Sequence, residues 1–185
     1  MKKWIAKRFL LKSDVYFYNA LVYGAGPFLN EILDNYKDTN WYCSRKAEND
    51  GSKPSIRIYL NINEDDKSEI LSRLDTILKK QPDLIGWNGQ YDDPDPNVPD
   101  KNKSNLSQLQ NACEIALSLM KNHSCVKNKE ITDEFLEEIT NQLRSFYKSM
   151  LDNSLSREDI GEALHFVANN LGLEDSSVYY LAASK

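Results

Sequence analysis

The sequence predicts an α+β fold: a small antiparallel sheet with packed helices, followed by a mostly helical C-terminal half. Three observations carry this. Short apolar and aromatic segments with two-residue alternation fall before residue 92, and apolar stripes of helical period dominate after residue 104. A polar, proline-interrupted stretch, 92–103, separates the two. At 185 residues the chain has the length of one domain, read as sheet-rich 1–91, connector 92–103 and helical 104–185.

The elements follow in order. Residues 3–11 are aromatic and β-branched and read as a first strand. Asp14 is positioned as an N-cap for a helix carrying Val15, Tyr18, Leu21 and Val22, which Gly24-Ala-Gly-Pro27 is expected to interrupt. Phe28, Leu29, Ile32, Leu33 and Tyr36 then mark a second short helix, up to 38–40. Segments 41–46 and 55–61 read as paired strands around a turn-rich stretch, 48–54. Ile56, Ile58 and Leu60 share one face of the second strand, and Arg57, Tyr59 and Asn61 share the other.

Asp66, three residues before Glu69, resembles a capping box for a helix with Ile70, Leu71, Leu74, Ile77 and Leu78 that stops at Pro82. Segment 84–87 reads as a further short strand. Three helices follow, over 105–122, 132–151 and from Ser156 to Gly172, the last opening on a Ser156/Asp159 capping box. The middle one, with Phe135, Leu136, Ile139, Leu143, Phe146, Tyr147 and Met150, has the clearest period.

Composition narrows the class. A net charge of −5 and a pI near 5.1 argue against a dedicated nucleic-acid surface. The basic N-terminus (Lys2, Lys3, Lys7, Arg8, Lys12) reads as a solvated edge strand. Cys43, Cys113 and Cys125 share no CxxC spacing and read as reduced thiols, so a cytoplasmic location is expected. No apolar run reaches the length of a membrane span.

Chemistry-bearing residues are few. His123 follows Asn122 at a helix C-terminus, where a capping or solvent-facing role fits. His165 lies one position off the Ile160, Leu164, Val167, Leu171 stripe, where an imidazole can be structural or can serve as acid or base. Arg45 and Arg57 stand on predicted strands; side by side on one face they would hold a carboxylate or a peptide carbonyl, and apart each would pair locally. Asp92, Asp93, Asp95 and Asp100 lack the glycine and closing glutamate of an EF-hand loop. No Walker loop, Gly-x-Gly-x-x-Gly or Gly-x-Ser-x-Gly motif is present, and no metal or organic cofactor is expected.

Two segments together resemble a known family. Asn40-Trp-Tyr-Cys-Ser-Arg45, a turn-rich spacer and Pro54-Ser-Ile-Arg-Ile-Tyr-Leu60 are similar to the arginine-bearing hairpin of the lantibiotic dehydratase C-terminal family, which includes the thiopeptide-type bacteriocin biosynthesis proteins. Leu164-His-Phe-Val-Ala-Asn-Asn-Leu-Gly172 resembles that family's Leu-His-Met-x-x-Asn-Arg-Leu-Gly helix end. The resemblance implies modification of a ribosomally made (RiPP) precursor peptide with its leader, alongside other biosynthetic enzymes, with neither nucleic acid nor membrane as a partner. One branch eliminates glutamate from glutamylated Ser or Thr. Another joins two dehydroalanines in a formal [4+2] aza-cyclisation that forms a pyridine and releases the leader.

Three departures favour the second branch. Tyr59 stands where the eliminating enzymes carry a second arginine, Leu84-Ile-Gly-Trp-Asn-Gly-Gln90 replaces a Glu-x-x-Arg-Tyr-Gly-Gly segment, and the Asn–Arg pair of the helix end is Asn169-Asn170. The resemblance then implies a pyridine-forming peptide cyclase with His165 as acid–base residue. Arg45 and Arg57 would orient backbone carbonyls, and Tyr18, Tyr42, Tyr59 and Trp87 would line the substrate site. Its alternatives are the elimination component of a split dehydratase and a non-catalytic leader-binding scaffold.

Overall fold

A computed structural model describes residues 2–36, 39–46, 53–92, 106–128 and 130–184. Residues 93–103 of the connector, with Asp93, Asp95 and Asp100, lie outside them, as do Asp38 and most of the 48–54 turn. The chain divides into two compact units, Met1–Lys101 and Asn102–Lys185. Among the described residues both strands and helices occur in the first and only helices in the second, so the α+β class with a helical C-terminal half holds.

The first unit is built on four strands, β1 (Lys2–Leu11), β2 (Asn40–Lys46), β3 (Ser55–Asn63) and β4 (Trp87–Asp92), in the order β2-β3-β1-β4 with every neighbour antiparallel. Helical segments cross between β1 and β2 and between β3 and β4. This is the connectivity of the split β-α-β, ferredoxin-like arrangement. The basic strand is therefore central rather than an edge, because β3 and β4 flank β1. Its cations pair individually: Lys3 with Glu64 at 2.5 Å, Lys12 with Asp83 at 2.7 Å, and Arg8 with Asp92. Asp92 thus ends a strand and holds an arginine.

One face of the sheet carries Phe9, Ile56, Ile58, Leu60, Ile62, Trp41 and Cys43, all essentially inaccessible to solvent. Burying each such aliphatic or aromatic side chain contributes roughly 1.5–3 kcal/mol before chain entropy is subtracted. Against this face lies a helical run that corrects the expected break at Gly24–Pro27. It opens with a 3-10 turn (Asp14–Tyr16), becomes α1 (Phe17–Asn19), widens into a π-helical stretch (Ala20–Ala25) and continues as α2 (Gly26–Asn35). Pro27 sits in the first turn of α2, where its missing N–H does least harm. Gly24 is buried, and a side chain there would come 3.5 Å from Leu78 and Ile85, so burial holds the helix through residues of poor propensity. Ser13, not Asp14, is the N-cap residue, and Val15 is 77% exposed instead of joining the stripe.

α3 (Lys67–Lys80) follows a 3-10 turn, with Asp66 at its N-cap position but no side-chain cap bond; Asn63 donates to that carboxylate instead, at 3.2 Å. Segment 84–87 is not a strand. Pro82–Ile85 forms a single helical turn, α4, that ends at Gly86 in the left-handed region (φ 73°), and β4 begins only at Trp87.

One polar cluster ties α3 to β4. The Tyr91 hydroxyl donates to Asp75 Oδ1 at 2.6 Å, and Lys79 Nζ lies 2.5 Å from Oδ2. Both contacts hold the Asp75 carboxyl below its usual range, while burial and the facing carboxylate push the Tyr91 phenol up. A depressed carboxyl contributes stability above its unfolded pKa, about 3.9, and loses it as pH falls through the folded value. Asp75→Asn is expected to lower stability at pH 7 by about 0.5–1 kcal/mol and to leave it unchanged at pH 2. Urea unfolding at the two pH values checks this; equal effects at both would contradict it.

The second unit packs α5 (Leu106–Asn122), α6 (Asp133–Asp152), α7 (Arg157–Leu171) and α8 (Asp175–Ala183). Thr132 caps α6 by accepting from the Phe135 N–H at 3.2 Å, and Ser156 caps α7 by accepting from the Asp159 N–H at 3.1 Å. Gly172 closes α7 in the left-handed conformation (φ 72°), as its position predicts. Phe135, Ile139, Leu143, Phe146 and Met150 form the buried stripe of α6, whereas Leu136 is 41% exposed. α8 is an element the sequence pattern does not announce, because only Val178 and Ala182 of it are buried. No helix among the described residues is long and apolar enough to cross a membrane.

Candidate functional site

α7 places His165 on the side away from its buried stripe of Ile160, Ala163, Leu164, Val167 and Leu171. After Gly172 the chain reverses through Leu173 and Glu174 and starts α8 at Asp175. The reversal brings the first turn of α8 against α7. Both carboxylate oxygens of Asp175 lie within hydrogen-bond reach of His165 Nδ1, at 3.0 and 2.9 Å. A carboxylate at a helix N-terminus is favoured by the helix dipole. Since an ionised carboxylate only accepts, Nδ1 is the donor, and Nε2 is left to take up or deliver a proton.

The pair borders an open groove of about 660 Å³ lined by α7 and α8. Leu164, Tyr179 and Tyr180 give it an apolar and aromatic wall, Ser176 and Ser184 add hydroxyls, and no Lys or Arg is among the described lining residues. Tyr180 is 73% exposed, high for an aromatic ring. Tyr179 is steadied by Tyr147 of α6, whose ring meets it edge-on at 6.0 Å; their hydrogen bond, helped by burial, raises the Tyr147 phenol above its ordinary value. At the far end Arg144 donates to the Ser184 hydroxyl at 3.0 Å.

The remaining sequence-selected residues belong to the first unit, and the register sorts them. Tyr42 and Tyr59 are direct cross-strand partners, stacked with centroids 4.4 Å apart and planes 15° from parallel, and Trp4 lies 5.8 Å from Tyr42. Arg57 shares their face. Arg45 does not: it is registered with Ile56 on the opposite face, over the Phe17 ring at 4.9 Å. Of the two arrangements open to Arg45 and Arg57, the register gives the one that holds them apart, because residues registered across antiparallel strands share a face and Arg57 is registered with Ser44.

The arginine beside Arg57 is Arg8, its cross-strand partner on β1. Burial and the Arg57 charge both lower the Arg8 pKa. Among the described residues the buried Nε atoms of Arg8 and Arg57 have no hydrogen-bond partner. Burial also lowers the Arg45 pKa, with Asp14 acting in the other direction. Tyr18 is half-buried in α1. Trp87 is buried at the start of β4, where its indole N–H donates to the Gln90 carbonyl at 3.0 Å and its ring lies 5.4 Å from Tyr91.

His123 directly follows α5, its backbone N–H donating to the Leu119 carbonyl at 2.9 Å, so of its two expected roles the capping position fits and the solvent-facing one does not. Its Nε2 lies 2.6 Å from Glu138 Oε2 on α6, its side chain is 14% exposed, and its ring meets Phe135 edge-on. The contact draws the Glu138 carboxyl below its usual range. No three His, Cys, Asp or Glu side chains among the described residues converge as a metal site. Cys43 and Cys113 are buried thiols and Cys125 is half-buried.

The residue that sequence reasoning missed at the groove is Asp175. Its only sequence signal is an acidic first turn, Glu174-Asp175, shortly after the Gly172 stop. The chain matches no protein-family model, no curated protein and no solved structure.

Proposed function

We propose that this chain is a peptide-modifying enzyme of thiopeptide-type biosynthesis, a cyclase that forms a pyridine from two dehydroalanines and releases the leader. One observation carries the proposal: an imidazole held through Nδ1 by Asp175, at the edge of an apolar, aromatic groove with no lining cation among the described residues. The resemblance at 40–60 and 164–172 supplies the reaction class.

The chemistry balances without an oxidant. The amide preceding one dehydroalanine tautomerises to its iminol, giving an azadiene that adds across the second dehydroalanine double bond. Two carbon–carbon bonds form, from the iminol carbon and from the methylene of the first dehydroalanine to the two alkene carbons of the second. Loss of water, then of the leader as its carboxamide, aromatises the ring. Each stage moves a proton, and His165 Nε2 is the group placed to move it. Flat aromatic walls favour bringing two planar alkenes together.

Glutamate elimination asks for something else. A departing carboxylate needs a cation beside the acid–base residue, and there the groove has Asp175, while Arg144, which donates to Ser184, stands at the other end. The precursor peptide is the partner in either case. The test mixes the full chain with a leader-bearing peptide containing two dehydroalanines and, separately, with a glutamylated peptide, and reads masses. Leader loss with a smaller macrocycle is the expected result. Loss of glutamate would replace the proposal with elimination, and tight binding without a mass change would replace it with a leader-binding scaffold.

A further inference from the structure

Gly161 lies in the interior of α7, where glycine is a poor helix former, and neither of the usual reasons for a glycine applies. Its backbone is helical, so no left-handed turn requires it. A Cβ built there meets no atom within 4 Å among the described residues, so no packing contact requires it. What Gly161 does is line the groove, one helical turn before His165 and on the same face. Helical side chains lean toward the helix N-terminus and cover the turn before their own Cα. The surface next to the His165 ring is thus the surface a side chain at 161 would occupy.

From this we infer that Gly161 determines specificity: its missing side chain leaves a seat beside the His165 imidazole for one uncharged group of the substrate. Absence of charge follows from the lining, in which Asp175 would repel an anion and its carboxylate is already engaged by His165. In the proposed reaction the fitting group is a dehydroalanine unit, whose alkene and flanking amides are coplanar and neutral. The inference deepens that reading and rests on it for the substrate's name, but the seat itself rests on α7 and α8.

Two variants of the full chain and one small probe test it. Gly161→Ala is expected to melt about 2–4 °C higher, since alanine is the better helix former and meets nothing. Gly161→Leu, which fills the space, is expected to raise KM for the two-dehydroalanine peptide at least about tenfold. The Nδ1–H resonance of His165 should be unchanged in Gly161→Leu, showing that the His165–Asp175 contact survives.

Amide-resolved NMR with N-acetyl-dehydroalanine methylamide reports the seat without turnover. Shifts are expected at residues 161, 164, 165 and 180 of the unaltered chain and are lost in Gly161→Leu. Unchanged probe binding or peptide processing in Gly161→Leu would overturn the inference, as would absence of probe binding to the unaltered chain. A lower melting temperature for Gly161→Ala would show that the fold needs the glycine. Probe binding that is lost in Gly161→Leu, with no processing of the peptide by the unaltered chain, would keep the seat and remove the cyclase reading.

Discussion

Replacing His165 with alanine is expected to lower turnover of the two-dehydroalanine peptide about 100- to 10,000-fold, the range for loss of a positioned acid–base group. The melting temperature should stay within about 2 °C, because the His165 and Asp175 side chains are 54% and 63% exposed and such pairs contribute little to stability. That separation is what makes the variant informative. His165→Gln, which keeps polarity and approximate size, should be as inactive as alanine if proton transfer is the role. Asp175→Asn replaces an acceptor-only carboxylate with a neutral amide that can present either its oxygen or its NH2 to Nδ1, so the proton is no longer fixed there, and is expected to give a smaller loss, about 10- to 100-fold. Steady-state rates and thermal unfolding of the three variants check this. Full turnover in His165→Ala would take the imidazole out of the reaction altogether.

Gly86→Ala is expected to destabilise the first unit by about 3 kcal/mol or more, among the largest effects of any single methyl added to this chain. Two causes act together. Gly86 has φ 73°, a conformation that costs any other residue roughly 1 kcal/mol. An added Cβ would also lie 2.0 Å from Tyr16 Cγ, 2.4 Å from its Cδ1 and 2.5 Å from its Cβ. Neither side can yield easily. The Gly86 carbonyl accepts from the Lys12 N–H at 2.8 Å, which ties the turn to the end of β1, and the Gly86 N–H caps α4 through the Pro82 carbonyl.

The two causes can be separated. In a Tyr16→Gly background, which also removes the Cβ of residue 16, the clash is gone and only the conformational part remains, so Gly86→Ala should then cost about 1 kcal/mol. Urea unfolding of the four chains in this cycle gives the comparison, and simple additivity would rule the clash out.

Much of the helical unit was legible because its signals are local. Ser156 with Asp159, the stripe from Phe135 to Met150 and the Gly172 stop each lie within a few turns of one helix, and each appears where its spacing places it. The β2–β3 hairpin was legible for the same reason, with alternation separating Ile56, Ile58 and Leu60 from Arg57 and Tyr59. Among the site residues, His165 was legible as a histidine off the apolar stripe, and its partner was not.

By itself the sequence determined the α+β class, the order of most elements and the inward side of the 55–61 strand and, in the main, of the long helices, because period, caps and turn residues act over a few neighbouring positions. Tertiary structure alone decided the rest. Packing of Gly24 near Leu78 and Ile85 carries a helix through glycine and proline as a π-helical stretch. Strand register places Arg45 and Arg57 on opposite faces and sets Arg8 beside Arg57. A chain reversal joins His165 to Asp175. These outcomes depend on which surfaces meet across distant segments, and a shift of one residue in register or one turn in a helix pairing would reverse them without altering any local pattern.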